Sequence, residues 1–129
     1  MHRSRIGVVL IDHPEESYAA AAAFWTAARG GERVATGVTP PDDPYEPLDR
    51  LPGGVMLDLQ RLDDGAPRIH LDIETDDIEA ETARLLAAGA TVVDQHDDYT
   101  VLADPGGLLL CVVPVQTGAA FEEHAVTWA

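Results

Sequence analysis

A chain of 129 residues, 46% hydrophobic and 24% charged, has the size and composition of one globular domain and is too apolar for a disordered segment. Eight basic residues, all of them arginines, stand against 23 acids, and the formal charge of −15 sets the chain against phosphate backbones and anionic membranes. Nucleic-acid and membrane-surface roles are therefore not expected.

The single cysteine, Cys111, excludes an internal disulfide and a multi-thiolate metal cluster. In the apolar run 108–113 it reads as a small buried hydrophobe. No apolar stretch approaches the roughly 20 residues that span a bilayer. Residues 1–5 run straight into a strand without a signal-peptide pattern, so a cytoplasmic location is expected. The Ala- and Arg-rich, lysine-free usage suggests a bacterial source.

In chain order, residues 6–11 (Ile-Gly-Val-Val-Leu-Ile) form a β-branched run suited to a buried strand. Residues 12–17 read as a turn into a helix, with Pro14 before the first turn and acids against the helix dipole. The alanine-dense segment 18–29 is a helix by propensity, its Phe24 and Trp25 reading as core, and Gly30-Gly31 close it. β character resumes over 33–38. Residues 39–54 hold Pro40, Pro41, Pro44, Pro47 and Pro52, which predicts a structured loop.

Residues 55–62 alternate, with Val55, Leu57 and Leu59 on one face and Met56, Asp58 and Gln60 on the other. Turn residues 63–67 lead to the cleanest pattern of the chain, Arg68-Ile69-His70-Leu71-Asp72-Ile73-Glu74. Its apolar face should pack on helices. Its polar face carries a histidine flanked by two acids and an arginine. Asp76 and Asp77 then offer N-cap oxygens to an amphipathic helix over 78–88, closed by Gly89. Strands are expected at 90–94, 99–103 and 108–113. The tail 115–129 reads less clearly, with 119–128 as a short helix or as an arm on a partner subunit.

The two halves repeat one plan: a strand, an acidic turn, a helix ending at glycine, then further strands. Ala27-Ala28-Arg29-Gly30 in the first half echoes Ala87-Ala88-Gly89 in the second. The expected architecture is α+β, with two tandem βαβββ modules in a single domain, module one over about 5–62 and module two over about 68–114. The loop at 39–54 would cover or replace the first module's third strand.

This plan resembles the vicinal oxygen chelate superfamily of glyoxalases, bleomycin-resistance proteins and extradiol dioxygenases, and within it the glyoxalase-like branch. The carrying residues are Arg68-Ile69-His70-Leu71-Asp72-Ile73, Asp76-Asp77, Leu85-Leu86-Ala87-Ala88-Gly89-Ala90-Thr91-Val92-Val93 and Leu102-Ala103-Asp104-Pro105-Gly106-Gly107. The first half matches more loosely, through Asp12-His13-Pro14, Phe24-Trp25 and Leu59-Gln60. The resemblance implies a curled mixed sheet with helices outside and a ligand in the cup, and in metal-dependent members a divalent ion held from the first and last strands of each module. Carried onto this chain, those four positions fall on Gly7 or Val8, on Gln60, on His70 and on Leu109. Two of them cannot ligate, and one imidazole with one amide is short of the three protein ligands usual in a catalytic site.

His70 is accordingly the leading functional residue, as a ligand contact or as an acid or base, since histidine changes charge near neutral pH. By parity Asp58, Gln60, Asp72 and Glu74 share its face, which is either a solvated sheet surface or, as the resemblance implies, the wall of a cup. Several carboxylates beside Arg68 would favour a polar or cationic ligand. Tyr99 and the loop residue Tyr45 are placed to meet it. His13 at a turn and His96 beside Asp97 and Asp98 are further imidazoles, the latter reading as a solvated acidic loop. The expected ligand-binding set is His70, Gln60, Asp58, Asp72, Arg68 and Tyr99, with His70 the best catalytic candidate. No metal ion is expected, and His70 and Gln60 are the candidates if a divalent one binds.

Three functions compete. The favoured one is a glyoxalase-like protein binding a small organic molecule in a cup with a degenerate metal site, as sequestering agent or metal-free catalyst. The second is a divalent-metal-dependent lyase, isomerase or dioxygenase, with His70 and Gln60 joined by His13 or His96. The third is a non-catalytic interaction module whose cup is filled by its own side chains. The family commonly forms homodimers, and Phe121 and Trp128 offer a contact.

Overall fold

A computed structural model describes residues 1–30 and 43–129 of the chain. Its elements run β1 (His2–Pro14), α1 (Glu15–Arg29), β2 (Tyr45–Leu51), a 3-10 turn (Pro52–Gly54), β3 (Val55–Leu62), β4 (Arg68–Thr75), α2 (Ile78–Ala87), β5 (Thr91–Gln95), β6 (Thr100–Ala103), β7 (Leu109–Pro114), α3 (Ala119–His124) and β8 (Val126–Trp128). One mixed sheet orders the strands β2-β3-β1-β4-β7-β6-β5, with β8 also on β1. The α+β curled sheet expected from the sequence is present. The expected strand at 33–38 and part of the proline-rich loop lie outside the described residues.

β1 is longer than its apolar core suggests. Residues 12–14, read as a turn, continue the strand because His13 and Pro14 stay in parallel register with Arg61 and Leu62 of β3. β1 also pairs antiparallel with β4, and the register slips between Ile6 and Val8. Gly7 sits at that bulge, where an added Cβ would overlap the carboxylate of Glu74.

The second departure is β2, in a stretch expected to be loop. Prolines are tolerated there because β2 pairs only with β3 among the described strands, and Pro47 stands at a register irregularity where a missing N–H costs little.

Parity divides each central strand between two environments. Ile11, Leu48 and Leu59 pack with Ala22 of α1 into a core that Tyr18, Trp25 and Leu57 flank. Phe24, expected in this core, is instead 62% exposed, edge-on to Trp25 at a centroid distance of 5.2 Å. α1 ends at Gly30, whose φ of 80° lets its N–H reach Ala27 O at 3.1 Å. α2 starts with Asp77 accepting from Ala80 N at 3.0 Å, an N-cap worth about 1 kcal/mol.

The tail docks on its own domain rather than projecting as an arm. Phe121 is fully buried, which contributes about 2 kcal/mol or more and removes it as a partner contact. β8 pairs with the start of β1 (His2 opposite Trp128), Trp128 Nε1 donates to Ser4 Oγ at 2.8 Å, and the Arg84 guanidinium lies 3.7 Å over the indole. Among the described residues no helix is long and apolar enough to cross a membrane.

Candidate functional site

The face of the sheet turned away from the α1 core encloses a cavity of about 600 Å³, within the roughly 300–1,000 Å³ typical of small-molecule sites. Strand register lays out its wall as rows. Met56, Val8, Asp72 and Cys111 form one row across β3, β1, β4 and β7. Asp58, Leu10 and His70 form the next, and Gln60, Asp12 and Arg68 the third. Alternation along single strands thus becomes a two-dimensional polar and apolar pattern once the register is known.

All six expected ligand-binding residues line this cavity: His70, Gln60, Asp58, Asp72, Arg68 and Tyr99. Tyr45 joins them, its phenol oxygen accepting from Gln60 Nε2 at 3.2 Å. Burial and the nearby acids Asp72 and Asp12 hold the Tyr45 hydroxyl above its ordinary pKa.

His70 is buried, hydrogen-bonded on one side and ion-paired on the other. Its Nδ1 donates to Asp12 Oδ2 at 2.6 Å, and its Nε2 lies 3.4 Å from Asp72 Oδ1. Burial disfavours the imidazolium, yet the bonds to Asp12, Asp72 and Cys111 outweigh it and raise the pKa well above the histidine norm. Arg68, half exposed, also reaches Asp12 Oδ2, at 3.4 Å through Nε. Asp12 itself is fully buried beneath the two cations.

Asp58 contrasts with this paired group. It is 9% exposed, its Oδ1 has no hydrogen-bond partner, and it lines the cavity. Desolvation pushes its pKa up to about 6, against the pull of Arg50 and with a further push from Asp72.

Several expectations are corrected by the geometry. Glu74 shares the parity of His70 and Asp72 but does not reach the cavity. The tail covers it, and its Oε1 accepts from Thr117 N and Oγ1 at 3.2 and 2.8 Å. His13 bonds Ser17 Oγ and is not in the cavity wall, so it cannot complete a ligand set with His70. His96 pairs with Asp94 at 2.8 Å and stacks on the outer side of the site against Tyr99, at 4.2 Å between centroids. Cys111, read as a core hydrophobe, is half-buried and lines the cavity.

Cys111 and Asp12 are the residues that sequence reasoning missed. The thiol, His70 and Asp72 present donor atoms within 4.8 Å of one another. That set fits a divalent ion of intermediate softness, with Asp12 behind His70 Nδ1 in the position of the carboxylate that commonly orients a ligating imidazole. Asp12 shares the parity of Val8 and Leu10, but the apolar run before it hides which face that parity marks. Cys111 stands likewise within an apolar run, two residues on from Leu109.

The glyoxalase-like domain family model matches residues 8–113. No curated protein sequence matches the chain. Among solved structures, the chain superposes on an NAD-dependent benzaldehyde dehydrogenase from Legionella pneumophila at a TM-score of 0.56 and 12% identity, over 84% of this chain and 98% of that one. It also superposes on the Streptomyces coelicolor methylmalonyl-CoA epimerase bound to 2-nitronate-propionyl-CoA, at a TM-score of 0.55 and 19% identity, over 85% of this chain and 96% of that one. Identities this low speak for the fold alone. With most of its length matched by the family model and its sheet curled around the expected cavity, the chain belongs to the glyoxalase-like domain family of the vicinal oxygen chelate superfamily.

Proposed function

We propose that this protein binds a small organic molecule in its cup and that the family's metal position is degenerate. The observation that carries the reading is the cavity of about 600 Å³ with Val8, Leu10 and Leu109 in its wall, apolar where ligating strands would offer donors. His70, held by Asp12 and Asp72, forms part of the wall that the bound molecule meets, and Gln60, Tyr45 and Tyr99 supply neutral polar contacts. A cavity of this size also counts against an interaction module whose cup is filled by its own side chains. The proposed protein is bacterial, cytoplasmic and homodimeric. Metal analysis of protein purified without chelators tests the reading. The expected result is less than stoichiometric divalent ion, and one tightly held ion per chain would overturn it.

The convergence of His70, Asp72 and Cys111 favours one alternative, a divalent-metal-dependent lyase, isomerase or dioxygenase. Those three residues would hold the ion, which when bound would polarise a substrate oxygen. In that case His70→Ala abolishes metal uptake and turnover together. Metal retained in that variant refutes it.

A further inference from the structure

Among the described residues, ion pairing across the cup leaves Asp58 over in its wall and Asp98 at its edge. Two cations among the described residues line the cup, His70 and Arg68, and both turn toward Asp12, with His70 also against Asp72, while Arg50 acts on Asp58 only at a distance, without a hydrogen bond or ion pair. Asp58 stands on β3, buried to more than nine-tenths and in the cavity wall. Asp12, Asp58 and Asp72 each have an Oδ1 without a hydrogen bond, but of the three Asp58 alone also has no ion pair among the described residues. Asp98 adds a further negative charge at the rim beside Tyr99. A buried carboxylate without a partner costs far more than one that meets a donor, so the site is complementary to a group that brings a positive charge to Asp58.

Resting on the reading that the cup takes a small molecule, we infer that its ligand is an organic cation, an amine with an apolar body, whose ammonium group pairs with Asp58. The surrounding chemistry agrees. Tyr45 and Tyr99 line the same cavity, and aromatic rings attract cations. Val8, Leu10 and Met56 offer an apolar floor on the same side as Asp58. The chain's charge of −15 draws cations toward the cup and repels anionic ligands such as acyl-phosphates or free carboxylates.

A charge-matched probe series tests this: 2-phenylethylamine, 2-phenylethanol and 3-phenylpropionate, titrated into the full chain and followed by amide and aromatic NMR shifts. The amine is expected to bind about tenfold or more tighter than the alcohol, with the carboxylate weakest. Asp58→Asn is expected to remove the preference for the amine, whereas Asp64→Asn, the same charge change on an exposed turn, leaves it in place. The wild-type series stands even if the Asp58 variant folds poorly. Equal binding of amine and alcohol, or a preference for the carboxylate, overturns the cation inference while leaving a ligand-binding cup. A series in which none of the three shifts a cup resonance overturns both.

Discussion

Asp12 Oδ2 accepts a hydrogen bond from His70 Nδ1 at 2.6 Å, joining the first strands of the two modules beneath the cup. Both groups are buried, and the second partner of each, Arg68 for Asp12 and Asp72 for His70, lies farther off at 3.4 Å. Asp12→Asn is therefore expected to destabilise the fold by about 3 kcal/mol, because it removes the nearer counter-charge of a buried cation. Replacing both residues by apolar ones of similar size, as in Asp12→Leu with His70→Leu, should recover most of that loss. Urea midpoints of the single and double variants check this.

Asp58 carries the opposite lesson. Its folded pKa of about 6 stands above the ordinary 3.8, so the folded state holds a proton that the unfolded state has released. For a group raised in this direction the stability penalty is absent below the unfolded value and complete above the folded one. Wild-type stability should thus fall, relative to Asp58→Asn, as pH rises from about 4 to about 6, by up to about 2 kcal/mol. Parallel urea curves across that window measure the difference, and a variant no more stable than wild type at pH 7 would contradict the assigned burial.

At Gly7 the constraint is steric. A methyl group there runs into Glu74, which the tail holds through Thr117. Gly7→Ala should cost about 2 kcal/mol in the native sequence. The same change should cost almost nothing in a Glu74→Ala background. A double-mutant cycle by thermal unfolding gives the coupling, and additive losses would show that the two residues do not share this space.

Cys111 faces the cavity rather than the core, so its thiol should be alkylated by iodoacetamide in the folded protein. The adduct should then block the cup and abolish probe binding. Intact mass and the NMR titration described above read the two effects. Protection of the thiol until the protein is unfolded would return Cys111 to the core.

How much of this was legible in the sequence depended on whether a pattern lay within one strand or between strands. The alternation over 68–74 and 55–62 placed His70, Asp72, Asp58 and Gln60 on one wall, and the structure lines the cavity with all four. Asp12 was hidden because β1 is apolar on both faces over residues 6–11, which erases the period of two that would have shown which way Asp12 points. Cys111 was hidden for the same reason in the apolar run of β7. The loop reading of 39–54 fails at β2 because prolines rule out a central strand, and among the described strands β2 lies at an edge. Glu74 had the right parity, but the tail residues that cover it, Gln116 and Thr117, are 42 and 43 residues away and leave no trace in the local pattern.

The position of β1 has a consequence for how the chain reaches this state. β1 draws its neighbours from β3, β4 and β8, so its ladders close only when residues 55–62, 68–75 and 126–128 have all come to it. Pairings between such distant segments must close large loops before they are rewarded, which slows folding toward the millisecond-to-second range. Throughout that interval the run Ile6-Gly7-Val8-Val9-Leu10-Ile11 waits without partners. It is uncharged, contains no proline and is rich in β-branched residues, which is the composition of an aggregation-prone segment. The strand that organises the finished cup is thus the one that most exposes the unfinished chain to self-association.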